Sequence, residues 1–169
     1  HLSLRRQRQM CIRDRSMSAY FKDPSCAPSF TVLRDENPHG FLMANLSANA
    51  SPEQACEAVE LIDADALQIH VNAVQEIVMP EGDREFEHWA QHIEAIARAV
   101  DVPVIVKEVG FGMTGASVRT LSSLGVAFVD VAGNGGTDFA RIESARRTDQ
   151  FSHLNGCCLL YTSDAADEG

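Results

Sequence analysis

The chain has 169 residues, 45% of them apolar and 22% charged, with a formal net charge of −10. That size and mixture suit one globular domain with its own core. The acidic balance excludes a protein that tracks nucleic-acid phosphates, and no apolar run approaches the roughly 20 residues of a membrane-spanning helix; neither nucleic acid nor membrane is an expected partner.

The two ends differ from the middle. Residues 1–15, HLSLRRQRQMCIRDR, hold five arginines and no apolar period, and residues 157–169, CCLLYTSDAADEG, change composition abruptly. Both are expected to be non-native or disordered tails around a domain at 16–156, and both resemble translated sequencing-adapter read-through. Cys11, Cys157 and Cys158 fall in these ends. Cys26 and Cys56 remain in the body with no disulfide spacing, which together with the lack of an apolar leader sets a cytoplasmic expectation.

Residues 16–28 contain two prolines and predict a helix followed by a loop. Residues 29–34 (SFTVLR) read as a short extended piece, and 41–46 (FLMANL) as a strand ending near Asn45. Ser51-Pro52-Glu53 starts a helix: Ser as N-cap, Pro in the first turn, an acid near the positive helix end. Ala55, Ala58, Val59 and Ile62 follow at helical spacing.

The stretch 63–84, DADALQIHVNAVQEIVMPEGDR, opens as a strand through Ala66, Leu67, Ile69 and Val71. Strand alternation puts Gln68, His70 and Asn72 on one face, and Gln75 and Glu76 crowd the end before an acidic turn. Phe86, Trp89, Ile93, Ile96 and Val100 then define an amphipathic helix over 84–100. His88 and His92 stand four apart on it, but Trp89 and Ile93 mark the buried side and no third ligand accompanies them; exposed histidines are expected. A strand over 104–106 ends at Lys107-Glu108, a helix over 114–124 stops at Gly125, and a strand over 126–131 leads into Gly133-Asn134-Gly135-Gly136-Thr137. A helix over 138–147 closes the readable part.

Strands alternating with helices predict a parallel α/β sheet with its polar residues at the C-terminal strand ends. Barrels and open doubly wound sheets both place their sites there, and the pattern alone does not choose between them. By itself Lys107 suits either a cation beside a ligand or an ion pair with Glu108. The 135–137 turn suits a phosphate or a plain change of direction.

Three collinear segments, IHVNAVQEIVMPEGDREF (69–86), PVIVKEVGFGMT (103–114) and VDVAGNGGTDFARIESARR (129–147), resemble type II isopentenyl-diphosphate isomerase, the flavin-dependent kind. The resemblance covers about 16–155. It implies a partial (β/α)8 TIM barrel, about four β/α units from the middle of the barrel. It implies interconversion of isopentenyl and dimethylallyl diphosphate with reduced FMN as the acid–base cofactor, NADPH or NADH as reductant, and Mg²⁺. By resemblance Asn45, Lys107, Gly135, Gly136 and Thr137 contact FMN, with Lys107 against the N1–C2=O edge. His70, Asn72 and Gln75 meet the substrate, Gln75 as the catalytic candidate, and Glu76 holds Mg²⁺. The family has Gly where this chain has Ser47, and its members form homo-oligomers. The alternatives are another FMN barrel of the 2-hydroxy-acid oxidase kind, which lacks the HVN-x-x-QE pattern, and an inert truncated fragment.

Overall fold

A computed structural model describes residues 16–79, 85–108, 110–131 and 139–146. The tails expected at 1–15 and 157–169, the acidic turn expected before residue 85 and the Gly135, Gly136, Thr137 segment lie outside the described residues.

The chain opens with α1 (Ser18–Lys22), a 3-10 turn (Pro24–Cys26) and α2 (Pro28–Glu36). The extended piece expected over 29–34 is thus a helix. Thr31 and Val32 supplied the strand signal, but Pro28 sits at the helix start with its φ already set, and tertiary anchoring overrides propensity. Phe30 is buried, and Arg34 reaches from the last turn to the Gly40 carbonyl at 2.9 Å and the Asp65 carboxylate at 3.0 Å.

Strand β1 (Met43–Ser47) follows, then α3 (Pro52–Leu61), β2 (Ala66–His70), the short α4 (Ala73–Val78), α5 (Trp89–Ala99), β3 (Val104–Lys107), α6 (Gly115–Ser123), β4 (Phe128–Asp130) and α7 (Phe139–Arg146). Ser51 makes the expected cap as a full capping box with Gln54. Helix α5 starts five residues later than the periodicity over 84–100 suggests. Phe86 lies ahead of it, ring edge against Trp89 at 4.8 Å between centroids.

All three strand pairings are parallel, and the four strands lie side by side in chain order. Register puts Ala44, Leu67 and Val104 in one row, and Leu46, Ile69, Val106 and Val129 in another, on the same face. That face forms one core with Ala55 and Ala58 of α3, Ile93 and Ile96 of α5 and Leu121 of α6. The opposite face carries Asn45, Gln68, His70, Ile105 and Lys107. Parallel sheets usually bury apolar rows on both sides, so a polar row here marks a surface kept for something other than packing.

The expectation of a partial (β/α)8 barrel is corrected. The described strands form an open four-stranded parallel sheet in which β1 and β4 are the two edges and do not pair with each other. Closure requires a tilt and stagger shared around a complete ring, and these four strands do not form one. The architecture is α/β with an open sheet. No helix among the described residues is long and apolar enough to cross a membrane.

Candidate functional site

The C-terminal ends of the strands bring four polar residues into one row: Ser47 opposite His70, His70 opposite Lys107, Lys107 opposite Asp130. Ser47 and Asp130 belong to this row only through register, which no local sequence signal reveals. One step back, Asn45 stands opposite Gln68 on the same face, both nearly fully buried.

These side chains are linked. His70 Nδ1 is 2.7 Å from Asn45 Oδ1, and Asn45 Nδ2 donates to Gln68 Oε1 at 3.3 Å. Asn45, expected from the resemblance beside FMN, is thus the connector between two β2 side chains. The ladder continues past β2, with the Val71 N–H donating to the Lys107 carbonyl at 2.8 Å. That bond fixes where the chain leaves the sheet.

Asn72 is the N-cap of α4 rather than the last residue of a strand. Its Oδ1 accepts from the Gln75 N–H at 3.1 Å, and its Nδ2 donates to Gln75 Oε1 at 2.9 Å. The pattern N-A-V-Q held this cap in plain view, but a six-residue helix after a strand is easily read as a loop. Gln75 and Glu76 therefore belong to a helical first turn, not to a strand end. Glu76 sits where the helix dipole favours an anion.

Lys107 ends β3, half-buried, while Glu108 turns inward. A single Glu108 oxygen, Oε2, accepts the N–H groups of Gly110, Phe111 and Gly112 at 2.7, 2.7 and 2.8 Å. Gly110 and Gly112 have φ of 145° and 83°, which lets successive N–H groups converge on one anion. The sequence E-x-G-x-G carries that signal. Where the sequence leaves an ion pair with Lys107 open, the Glu108 carboxylate is held by the backbone.

The two helix histidines behave differently from one another. His88 is exposed and 3.1 Å from Glu87, whereas His92, expected exposed, is half-buried with Nδ1 3.2 Å from the Ala48 carbonyl oxygen. Among the described residues no group of three or more His, Cys, Asp or Glu could hold a metal ion. Among the described residues Glu76 would thus meet Mg²⁺ as a single carboxylate beside ligand phosphates, a coordination that ion accepts. For a flavin, the described residues offer a half-buried cation at Lys107 on the same sheet face as Asn45, a charge suited to a ring edge.

Fold and site together define an α/β protein that presents hydroxyl, imidazole, ammonium and carboxylate groups in one row at the C-terminal ends of a parallel sheet, backed by the amide pair Asn45 and Gln68. No protein-family model matches the chain. Over 156 residues it is 54% identical to the isopentenyl-diphosphate delta-isomerase of Streptomyces sp. strain CL190, covering 88% of this chain and 43% of that protein. The enzyme of that name from Nocardia farcinica is 55% identical over 156 residues, with the same coverage. That from Kitasatospora griseola is 53% identical over 171 residues, covering 97% of this chain and 46% of its own length. The chain thus spans less than half the length of the curated relatives it matches. The solved structure of the YdjI aldolase from Escherichia coli K12 superposes at a TM-score of 0.45 with 20% identity, over 78% of this chain and 45% of that one. A likeness that slight supports nothing further.

Proposed function

We propose that this chain serves an isopentenyl-diphosphate delta-isomerase, and one of the flavin-dependent type II kind. The observation that carries the reading is the continuous polar face formed by Asn45, Gln68, His70 and Lys107 at the strand ends, in a chain about half identical to proteins of that name.

The reaction is a 1,3-allylic proton shift without net oxidation. Reduced FMN, maintained by NADPH or NADH, would supply the acid–base group when bound. Lys107 would place a fixed cation against the ring edge that carries negative charge. Asn45 and the Gly135, Gly136 and Thr137 segment would complete the cofactor's surroundings. His70 and Asn72 would hydrogen-bond the diphosphate, with Glu76 binding the Mg²⁺ that screens it. Gln75 already accepts from Asn72 through Oε1, which leaves its NH2 group to face a ligand. Its part is therefore orientation by donation rather than removal of a proton. A cytoplasmic, homo-oligomeric whole protein acting on a small diphosphate completes the reading.

The test is a hybrid enzyme in which residues 16–146 replace the aligned segment of the Streptomyces protein. Dimethylallyl diphosphate is measured with FMN, NADPH and Mg²⁺. Flavin-dependent product formation is expected. A folded hybrid that isomerises without flavin would remove the type II reading, and a folded hybrid with no product under any condition would remove the isomerase reading. In parallel, the 169-residue chain itself is titrated with FMN to see whether these strands alone retain the cofactor.

A further inference from the structure

Gln68 is the one polar residue of the β2 face to which the proposed chemistry gives no task, yet it is 5% exposed on a sheet face where an apolar side chain would cost nothing to bury. We propose that Gln68 is a positioning residue: acting through Asn45, it fixes the neutral tautomer of His70 with the proton on Nδ1.

The argument follows from which atoms can donate. In the structure Gln68 presents its Oε1 rather than its NH2 to Asn45, and because that oxygen can only accept, the Asn45 amide turns its NH2 toward it, at 3.3 Å. An amide has one acceptor end and one donor end, so Asn45 Oδ1 is left facing His70 Nδ1 at 2.7 Å. A carbonyl oxygen that close to a ring nitrogen requires a hydrogen on the nitrogen. The neutral ring therefore keeps Nε2 as its proton-accepting atom. Asn45 is 4% exposed, so a mismatched orientation would oppose two like groups without water to relieve them.

The last step rests on the isomerase reading. A phosphate oxygen can be met at Nε2 only if that atom gains a proton, so His70 would bind a diphosphate with both nitrogens protonated, one donating to Asn45 and one to the ligand. Gln68 would then decide which nitrogen carries the proton before the ligand arrives.

The test uses the full chain without flavin or substrate, so it stands or falls separately from the isomerase reading. The 15N–1H correlation spectrum of histidine-labelled protein is recorded at about pH 8.5, where imidazoles are neutral, with the His70 signals assigned from their loss in His70→Gln. Wild type is expected to show the Nδ1–H pattern. Gln68→Leu should lose it in favour of exchange between tautomers or Nε2–H, while Gln68→Glu should restore it, because a carboxylate only accepts. The remaining histidine signals report whether each variant is folded; should Gln68→Leu not fold, Gln68→Met takes its place. An Nε2–H pattern in wild type overturns the proposal, whichever variants fold. An unchanged pattern in a folded Leu or Met variant overturns the part given to Gln68.

Discussion

Trp89 donates its indole N–H to the Asn49 side-chain oxygen at 2.8 Å, tying the first turn of α5 to the loop that leaves β1. The bond spans two crossovers and locks a helix to the strand ends that carry the site. Asn49→Ala should destabilise the fold by about 1–2 kcal/mol, since a half-buried indole N–H loses its acceptor. Trp89 is the chain's single tryptophan, so its own fluorescence in a urea titration reports the shifted midpoint.

The capping box at the start of α3 gives a second expectation. Ser51 accepts from the Gln54 N–H at 3.2 Å, and Gln54 Oε1 accepts in return from the Ser51 N–H at 3.0 Å. Ser51→Ala should cost about 1 kcal/mol in thermal or urea unfolding, while Ser51→Asp, which still caps, should cost little.

Glu108 holds three backbone N–H groups with one oxygen. Glu108→Ala should destabilise by about 2–3 kcal/mol, with Glu108→Gln between it and wild type. Hydrogen exchange provides the local reading: the amides of Gly110, Phe111 and Gly112 should lose protection first and most.

Asp65 sets a pH dependence. Its carboxyl is held below the ordinary range chiefly by the Leu42 N–H, 2.8 Å away, and further by the Arg34 guanidinium, while its slight burial works in the opposite direction. A carboxyl lowered by folding stabilises the folded state above its unfolded value of about 3.9, and that contribution is lost as pH falls through the lower folded value. Stability should therefore decline on acidification through and below about pH 4, and Asp65→Asn should flatten that part of the profile. Much of the side chain is exposed, so the effect should be modest and weaker in salt.

Lys107 gives a functional expectation within the isomerase reading. In the hybrid enzyme Lys107→Met should lower isomerisation by about 10²-fold, the usual loss of a charge-stabilising group. Lys107→Arg should recover part of it. The flavin spectrum of the reduced enzyme shows whether the loss lies in binding or in the chemical step.

What was legible in the sequence was whatever is written locally. Ser51-Pro52-Glu53 announced α3, Gly125 with φ of 89° ended α6 as expected, and the aliphatic runs gave the strands. The errors lay where distant contacts decide. Residues 29–34 looked extended until Arg34 had partners at Gly40 and Asp65. Alternation with Gln68 and His70 places Asn72 on a strand face, whereas its side chain caps α4 through Gln75. Barrel or open sheet turns on how edges meet, which alternating strands and helices do not encode. The site was legible as a set of residues but not as a network. His70, Asn45 and Lys107 each stand out at a strand end in the sequence, whereas the Gln68–Asn45–His70 linkage and the Ser47–Asp130 row exist only once β1 to β4 lie in register.

The two edges of the sheet are unequal. At β1 the outer side is engaged, because the Met17 N–H donates to the Asn45 carbonyl at 2.9 Å and the Met17 side chain is buried there. At β4 the strand is three residues long, and Phe128 is 64% exposed. Among the described residues no strand lies beyond β4, whereas Met17 already occupies the side beyond β1, so the two sides of this four-stranded sheet differ in what an added strand would meet. Crowding the protein in solution would test the shortest strand first, and a charge at Phe128 is the simplest guard against chains joining there.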